Sequence, residues 1–432
     1  MLLIYRIKST KRLKYVLELI FKHILGLSIV YTSDKNTFLK SDLPKINYSS
    51  TSFDGIPNFR NVDLLFESQI KKQKNKINIH KNKPAFFFHG DKKSVLPFDP
   101  FALIFYLVSR YEEYTATEFD NHGRFAANQS IAFQYSFLQR PLVNEWILEI
   151  KAILKQYYPN LLFKERKYKF TPTYDIDYAW SYQHKGLFRT IGGTARDFIK
   201  NKKGFAQRIQ VLKGQEQDPY FTFDYLDKLH QRFELKPIYF FLVGQRGEYD
   251  KNISIQKKAF QQLINQIGSQ YQIGLHPSYA SNSAFKILQK EQNDLEKVAK
   301  QSIIKSRQHF LKLSFPDTYR NLIRLGIKED YSMGYAAQIG FRASIASSFY
   351  WFDLENDETT DLQIFPFQLM DITLKNYLKL SPEKAIEAAT TIIKNTKAVN
   401  GQLMTLFHNN SFCEQEGWEG WRKVYEEILK TL

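Results

Sequence analysis

The sequence predicts an α/β protein in two parts: an N-terminal α/β region over residues 1–165 and a longer β/α domain over residues 166–432. Three observations lead there. From residue 166 onward, short stretches rich in Thr, Tyr, Phe, Ile and Val alternate with stretches of helical length, the pattern of parallel β/α units. Several of the short stretches run straight into Asp or His, and in such units chemistry sits on the loops at the C-terminal ends of the strands. The 432 residues are 43% hydrophobic and 16% aromatic, which excludes a disordered chain and is enough for two or three cores.

In the first part, Leu2–Tyr5 reads as a strand. The apolar stretch from Tyr15 to Tyr31 is interrupted by Glu18, Lys22 and His23. Leu17, Ile20, Phe21, Ile24 and Leu25 share one face, so it reads as an amphipathic helix ended by Gly26, not as a membrane span or a signal sequence. Leu27–Tyr31 reads as a second strand and Ala85–His89, between Pro84 and Gly90, as a third. Asp99 is placed to cap a helix whose first residue is Pro100, with Phe101, Ile104, Phe105, Val108 and Tyr111 on its apolar face. A further helix is expected over Val143–Tyr157. Arg110, Glu112, Glu113, Asp120, His122 and Arg124 form a charged concentration that reads as a salt-bridged structural corner before it reads as a site. Residues 159–166 mark the junction.

In the second part, strands are expected at Phe170–Tyr174, Ile238–Val243, Ile273–Leu275, Ser302–Ser306, Glu329–Met333 and Leu403–Phe407. Helices are expected at Phe223–Arg232, Ser254–Ile267, Ser283–Gln301, Pro316–Leu325 and Pro382–Ala398. Thr222-Phe223-Asp224 and Ser381-Pro382-Glu383 are the helix starts with the best capping chemistry.

A formal charge of +17 admits nucleic acid, an anionic membrane face or an acidic polymer as partner. The lysines are scattered, however. Their densest group (Lys71, Lys72, Lys74, Lys76, Lys81, Lys83) lies in a polar Asn/Gln-rich stretch that reads as a solvated loop. Without zinc-finger spacing or an RNP motif, no nucleic-acid partner is expected. Cys413 is the only cysteine, so no internal disulfide forms. Neither a secretory pattern nor a transmembrane segment is read, and the expected location is the cytoplasm. The oligomeric state is left open.

The chemistry concentrates in Thr173-Tyr174-Asp175-Ile176-Asp177. Two carboxylates at i, i+2 on a strand end point to the same side, a costly arrangement unless a metal or a shared proton uses it. Of nine histidines, three come directly or nearly so after a predicted strand: His276, His309 and His408. A mixed Asp/His set suits Zn²⁺ or another first-row divalent ion with an open coordination position.

In motif order, residues 166–432 resemble the polysaccharide deacetylases, the NodB-type carbohydrate esterases. Asp175-Ile176-Asp177 resembles the family's first motif, Ser306-Arg307-Gln308-His309-Phe310 lies where the arginine motif belongs, and Leu406-Phe407-His408 fits the Leu-x-His motif. The fourth motif's place is taken by Gly326–Tyr335. An extra N-terminal domain and the segment Gly340-Phe341-Arg342-Ala343-Ser344 are similar to a Bacteroidetes-type branch. The resemblance implies a NodB-like distorted (β/α) barrel with an N-terminal accessory α/β domain. It also implies a metal-dependent hydrolase that removes acetyl groups from an N-acetylated sugar or glycan. Asp175 would be the base, Arg307 its positioning partner and His408 the acid. Asp177, His276 and His309 would hold a divalent ion, with Zn²⁺ the first choice and Co, Fe or Ni the alternatives. Tyr279, Arg342 and Trp351 would contact the acetylated saccharide, Arg342 alternatively forming a structural ion pair with Asp330. The family's H-x-x-x-H motif departs here to His276-Pro277-Ser278-Tyr279-Ala280. Either His309 replaces the missing ligand, or Asp177, His276 and water hold the ion, or metal binding is lost. A catalytically weak or inactive carbohydrate-binding protein on the same fold is the rival reading.

Overall fold

Two separate runs of strand-forming residues build two main sheets in the computed structural model, which describes residues 1–73 and 75–432; Lys74 of the lysine group lies outside the described residues. The first sheet contains β1 (Leu2–Tyr5), β2 (Ile29–Thr32), β3 (Lys45–Tyr48) and β4 (Asn58–Phe59). Their order is β2-β1-β3-β4, all parallel. Thr10 caps the helix Lys11–Leu17, which continues as a π-helical turn over Glu18–Ile24 and buries the expected apolar face. The third strand expected in this region is mostly absent. β5 (Asn78–His80) and β6 (Lys83–Ala85) form a small hairpin, and the left-handed Phe87 (φ 65°) breaks the run Ala85–His89. Lys81 and Lys83 pair with Glu149, and Lys81 stays exposed to solvent. Asp99 caps the helix Pro100–Val108 as expected, accepting from the N–H groups of Phe101 and Ala102 at 2.9 and 3.0 Å.

The second sheet comprises β7 (Lys169–Ile176), β8 (Ile238–Leu242), β9 (Gln272–His276), β10 (Lys305–Ser306), β11 (Glu329–Asp330), β12 (Phe349–Asp353), β13 (Glu358–Ile364), β14 (Leu369–Met370) and β15 (Gln402–His408). Its order is β12-β13-β11-β10-β9-β8-β7-β15-β14, and only the β12/β13 hairpin is antiparallel. Ile238, Phe240, Tyr331, Phe367, Met404 and Leu406 form a cluster of their own, so side chains from β8, β15 and the end of β11 converge and the sheet is curled. Closure by strand pairing is not seen among the described residues. Instead, residues 365–368 cross the gap, where Phe365 donates to the Asp330 carbonyl at 2.8 Å and Gln368 to that of Met404 at 3.0 Å. Of the expected distorted barrel, the structure shows the curled, mostly parallel sheet. The hairpin β12–β13 and two helices after β7, Leu187–Lys200 and Lys202–Leu212, were not anticipated.

The junction at 159–166 separates two sheets but not two cores, for one apolar cluster runs through both parts. Tyr15 and Phe105 pack on Phe352 with ring centroids 5.1 and 5.2 Å apart. Buried Arg12 pairs with Asp357 at 3.0 Å, and Val143 donates to the Ser344 carbonyl at 2.9 Å. No helix of the described residues is long and apolar enough to cross a membrane.

Candidate metal and catalytic centre

Because β7, β9, β10 and β15 run parallel, their C-terminal ends meet at one edge of the sheet. There Asp175 lies in register opposite His408. His276 is the last residue of β9, and Arg307 directly follows β10. His309 opens a single tight turn in which Phe310 (φ 59°) and Leu311 (φ 53°) are both left-handed. Such backbone costs on the order of 1 kcal/mol or more per residue and survives where the surroundings impose it. The turn draws His309 back beside β9, where its N–H donates to the Pro277 carbonyl at 3.2 Å.

One donor atom each from Asp177, His276 and His309 lies within 4.8 Å of the others. Asp177 Oδ1 is 3.2 Å from His276 Nε2, and Oδ2 is 3.6 Å from His309 Nε2. The other nitrogen of each ring is occupied. His276 Nδ1 donates to the Arg307 carbonyl at 2.5 Å, and His309 Nδ1 to Asp250 Oδ1 at 2.8 Å. A carbonyl can only accept, so Nδ1 of His276 carries a proton, and in the neutral ring this leaves Nε2 as the atom for a ligand role. Asp177 Oδ1 is buried and has no hydrogen-bond donor. Two imidazole nitrogens and an orphaned carboxylate oxygen fit a first-row divalent ion such as Zn²⁺.

The protonation equilibria of the centre follow from this crowding. Burial disfavours the charged form of His309, but Asp177 and Asp250 outweigh it and push its pKa up to about 9. Burial likewise opposes the Asp177 carboxylate, yet His309, His276 and His408 hold it well below the usual range. A metal ion must therefore displace the His309 proton. Its affinity should weaken as pH falls below about 9, because the proton then competes more strongly. Asp250→Ala removes the group that orients this ring, and divalent-ion affinity measured by calorimetry is expected to drop roughly 10–100-fold.

Asp175 is buried beside the triad. Its Oδ1 accepts from Arg307 Nη1 at 3.0 Å, and its Oδ2 lies 3.7 Å from His276 Nε2. The Arg307 guanidinium is fully buried over the Phe240 ring at 4.6 Å and donates from Nε to the Tyr331 carbonyl at 2.9 Å. His408 is held through Nδ1 by Asp371 Oδ1 at 2.9 Å, with Nε2 3.7 Å from Asp177 Oδ2. Burial works against its charge, but Asp371, then Asp177 and Asp175, raise its pKa to about 10. Asp371 is itself fixed by the His408 N–H at 2.7 Å and by the Ser411 hydroxyl.

Asp175, Asp177, His276, His309 and His408 line an open cleft whose walls include Arg124, Phe310, Met370, Ile372 and Tyr377. The three residues expected to contact substrate lie outside that lining. Tyr279 packs against Phe310 with centroids 5.3 Å apart, and its hydroxyl is 3.3 Å from His122 Nδ1. Arg342 is buried in a two-pronged pair with Glu113 at 3.0 and 2.6 Å, so its partner is neither a substrate nor Asp330. Trp351 is buried against Tyr319, and Phe341 is fully buried. Arg342 is corrected to a structural position because Glu113 of the N-terminal part holds it, and Trp351 because its ring is buried against Tyr319 within the second part.

Conversely, Asp250, Asp371, Arg124 and Tyr377 were not anticipated in the centre. Asp371 follows the end of β14 just as Asp177 follows that of β7, so the same strand-end signal could have found it. Asp250 sits in a loop with no periodic signal. Arg124 belongs to the charged corner: it pairs with Asp120 at 2.7 Å and donates to the Phe310 carbonyl at 2.7 Å. Residues 1–165 thus reach the cleft.

A family of unknown function, DUF7033, matches residues 2–159. No curated protein matches the chain. Among solved structures, one from Mycobacterium smegmatis assigned as a polysaccharide deacetylase is similar over 62% of this chain and 86% of its own, at 15% identity and a TM-score of 0.40. A polysaccharide deacetylase from Bacillus cereus is similar over 61% of this chain and 87% of its own, at 13% identity and a TM-score of 0.30. A 4-alpha-glucanotransferase from Thermococcus litoralis is similar over 61% of this chain and 37% of its own, at 11% identity and a TM-score of 0.35. Likenesses this distant carry no argument about chemistry, which rests on the centre itself.

Proposed function

We propose that the chain is a metal-dependent hydrolase that removes an acetyl group from an N-acetylated sugar or glycan. The observation that carries this reading is that a carboxylate held by an arginine and an imidazolium held by a carboxylate share one cleft with the Asp177/His276/His309 set. The motif order that resembles the polysaccharide deacetylases supports it. An ion held by Asp177, His276 and His309, with Zn²⁺ first and Co, Fe or Ni as alternatives, would acidify water and polarise the acyl carbonyl. Asp175 takes the proton of the attacking water on Oδ2, while Arg307 keeps Oδ1 tied. His408 gives its Nε2 proton to the leaving amine, and Asp371 holds the ring at Nδ1. Phe310 and Tyr377 offer aromatic walls to a sugar ring. The substrate we favour is a cytoplasmic precursor or a lipid-linked glycan.

The test is metal content of the purified protein together with acetate release from chitooligosaccharides and nucleotide sugars. His408→Ala should lower kcat about 10²–10⁴-fold, the usual weight of a positioned acid. His408 acts in its protonated form, so the rate should fall as pH rises toward about 10. Asp371→Asn removes the largest charge that supports the proton, and this basic limb should move to lower pH. Glycan binding that survives Asp175→Asn and His408→Ala, with no turnover on any acetylated substrate, would replace this reading with that of a non-catalytic binding protein.

A further inference from the structure

The two helices after β7 carry a surface that neither the fold nor the cleft uses. They are Leu187–Lys200 and Lys202–Leu212, joined at Asn201, whose side chain caps the second by accepting from the Gly204 N–H at 2.9 Å. At 3.6 residues per turn, Leu187, Phe188, Ile191, Phe198 and Ile199 fall within an arc of about 120°. A helix packed on a core turns such an arc inward. Here all five side chains face out, between 59% and 91% exposed, with Phe188 the most exposed. Five large apolar side chains on one exposed face mark an interaction surface.

The surroundings of the arc are cationic. Residues 185–213 contain eight lysines and arginines and a single acid, Asp197. That acid is already engaged by buried Arg208 at 2.6 Å and by Arg196 at 3.3 Å. Lys202, Lys203 and Lys213 are exposed. The helices are also fixed in place. Arg189 donates to the carbonyls of Lys251 and Asn252 at 3.1 and 3.3 Å, next to Asp250, and Asp218 accepts from the N–H groups of Ser181 and Tyr182 at 2.6 and 2.8 Å.

We propose that this helical pair is the docking surface for an anionic lipid bilayer, with Leu187–Lys200 lying in the interface and its apolar arc set into the acyl boundary. An exposed apolar arc flanked by lysine and arginine is the composition of an interfacial helix, and the charge of the cytoplasmic leaflet complements it. The net charge of +17 adds long-range attraction of the same sign. A second copy of the chain fits less well, because a two-fold contact would set the same cationic surround against itself.

The experiment is co-sedimentation of the full chain with phosphatidylcholine vesicles, alone or mixed with about one-third phosphatidylglycerol. Binding to the mixed vesicles, weak binding to phosphatidylcholine alone and release by added salt are expected. Phe188→Ser with Ile199→Ser should weaken partitioning at least about tenfold, with circular dichroism and melting unchanged because both side chains are exposed. Lys202→Glu with Lys203→Glu should weaken binding to the mixed vesicles through charge alone. Absence of binding to the mixed vesicles, or full binding by the Phe188/Ile199 variant, overturns the proposal. So does a concentration-dependent dimer that the same substitutions abolish while vesicles are ignored, which would assign the surface to a second copy.

Discussion

Asp177→Ala is expected to remove stoichiometric divalent-ion binding and to bring acetate release to background. Asp177 is the anionic member of the triad, and its Oδ1 is buried without a donor. Its loss should exceed the roughly 10–100-fold in affinity that a partner of a ligand carries, because it removes a member of the proposed donor set itself. An independent readout separates this from misfolding. The Asp177 charge is the largest influence raising the His309 pKa, so in the metal-free variant the His309 titration, followed by NMR, should move down from about 9. An unchanged metal content in Asp177→Ala would sink the metal reading. His309→Ala should also lose the ion, and Ala280→His should not restore it. Ala280 lines a neighbouring cleft with Ser278 and Glu291, not the one that contains Asp177.

The largest expected effect on stability lies outside the cleft, at Glu113. Its carboxylate accepts from Arg110 Nε at 2.7 Å and from Arg342 Nε and Nη2 at 3.0 and 2.6 Å, and all three side chains are buried. Burial opposes the charge, but Arg342 and Arg110 hold the Glu113 pKa below its usual value. Glu113→Ala leaves two buried guanidinium groups short of a carboxylate, for which about 3–5 kcal/mol is the usual cost. Arg110 keeps Glu112 at 2.8 Å and Arg342 keeps the Gly334 carbonyl at 3.0 Å, which places the expectation toward the lower end of that range. Because the pair joins residue 113 of the first part to residue 342 of the second across a continuous core, denaturant unfolding should remain a single transition at a lower midpoint. Two separated transitions in the native protein would show that the parts unfold independently.

Much of the centre was legible before any coordinates. Asp175, Asp177, His276, Arg307 and His408 stand at the ends of strands whose β-forming residues and helical spacers are local signals, and parallel pairing brings such ends to one edge. The placement of His309 within reach of Asp177 was one of three open alternatives. It depends on two successive left-handed residues, Phe310 and Leu311, and no propensity of Phe or Leu predicts that conformation.

Other features depended on tertiary contacts alone. Arg342 and Trp351 carry side chains suited to a sugar, but Arg342 is claimed by Glu113 of the N-terminal part and Trp351 is buried against Tyr319. Glu113 and Arg342 are 229 residues apart, a separation across which no periodicity informs. Asp250 and Asp371 acquire their roles only because loops after β8 and β14 fold onto His309 and His408. By itself the sequence determined the strand-helix alternation and the acidic and imidazole residues at strand ends, because those follow from local preference and side-chain period. Only the tertiary structure decided which of them share a cleft, that the sheet curls, and that the first 165 residues join the same core. Those outcomes depend on which apolar faces and buried charges find partners far along the chain.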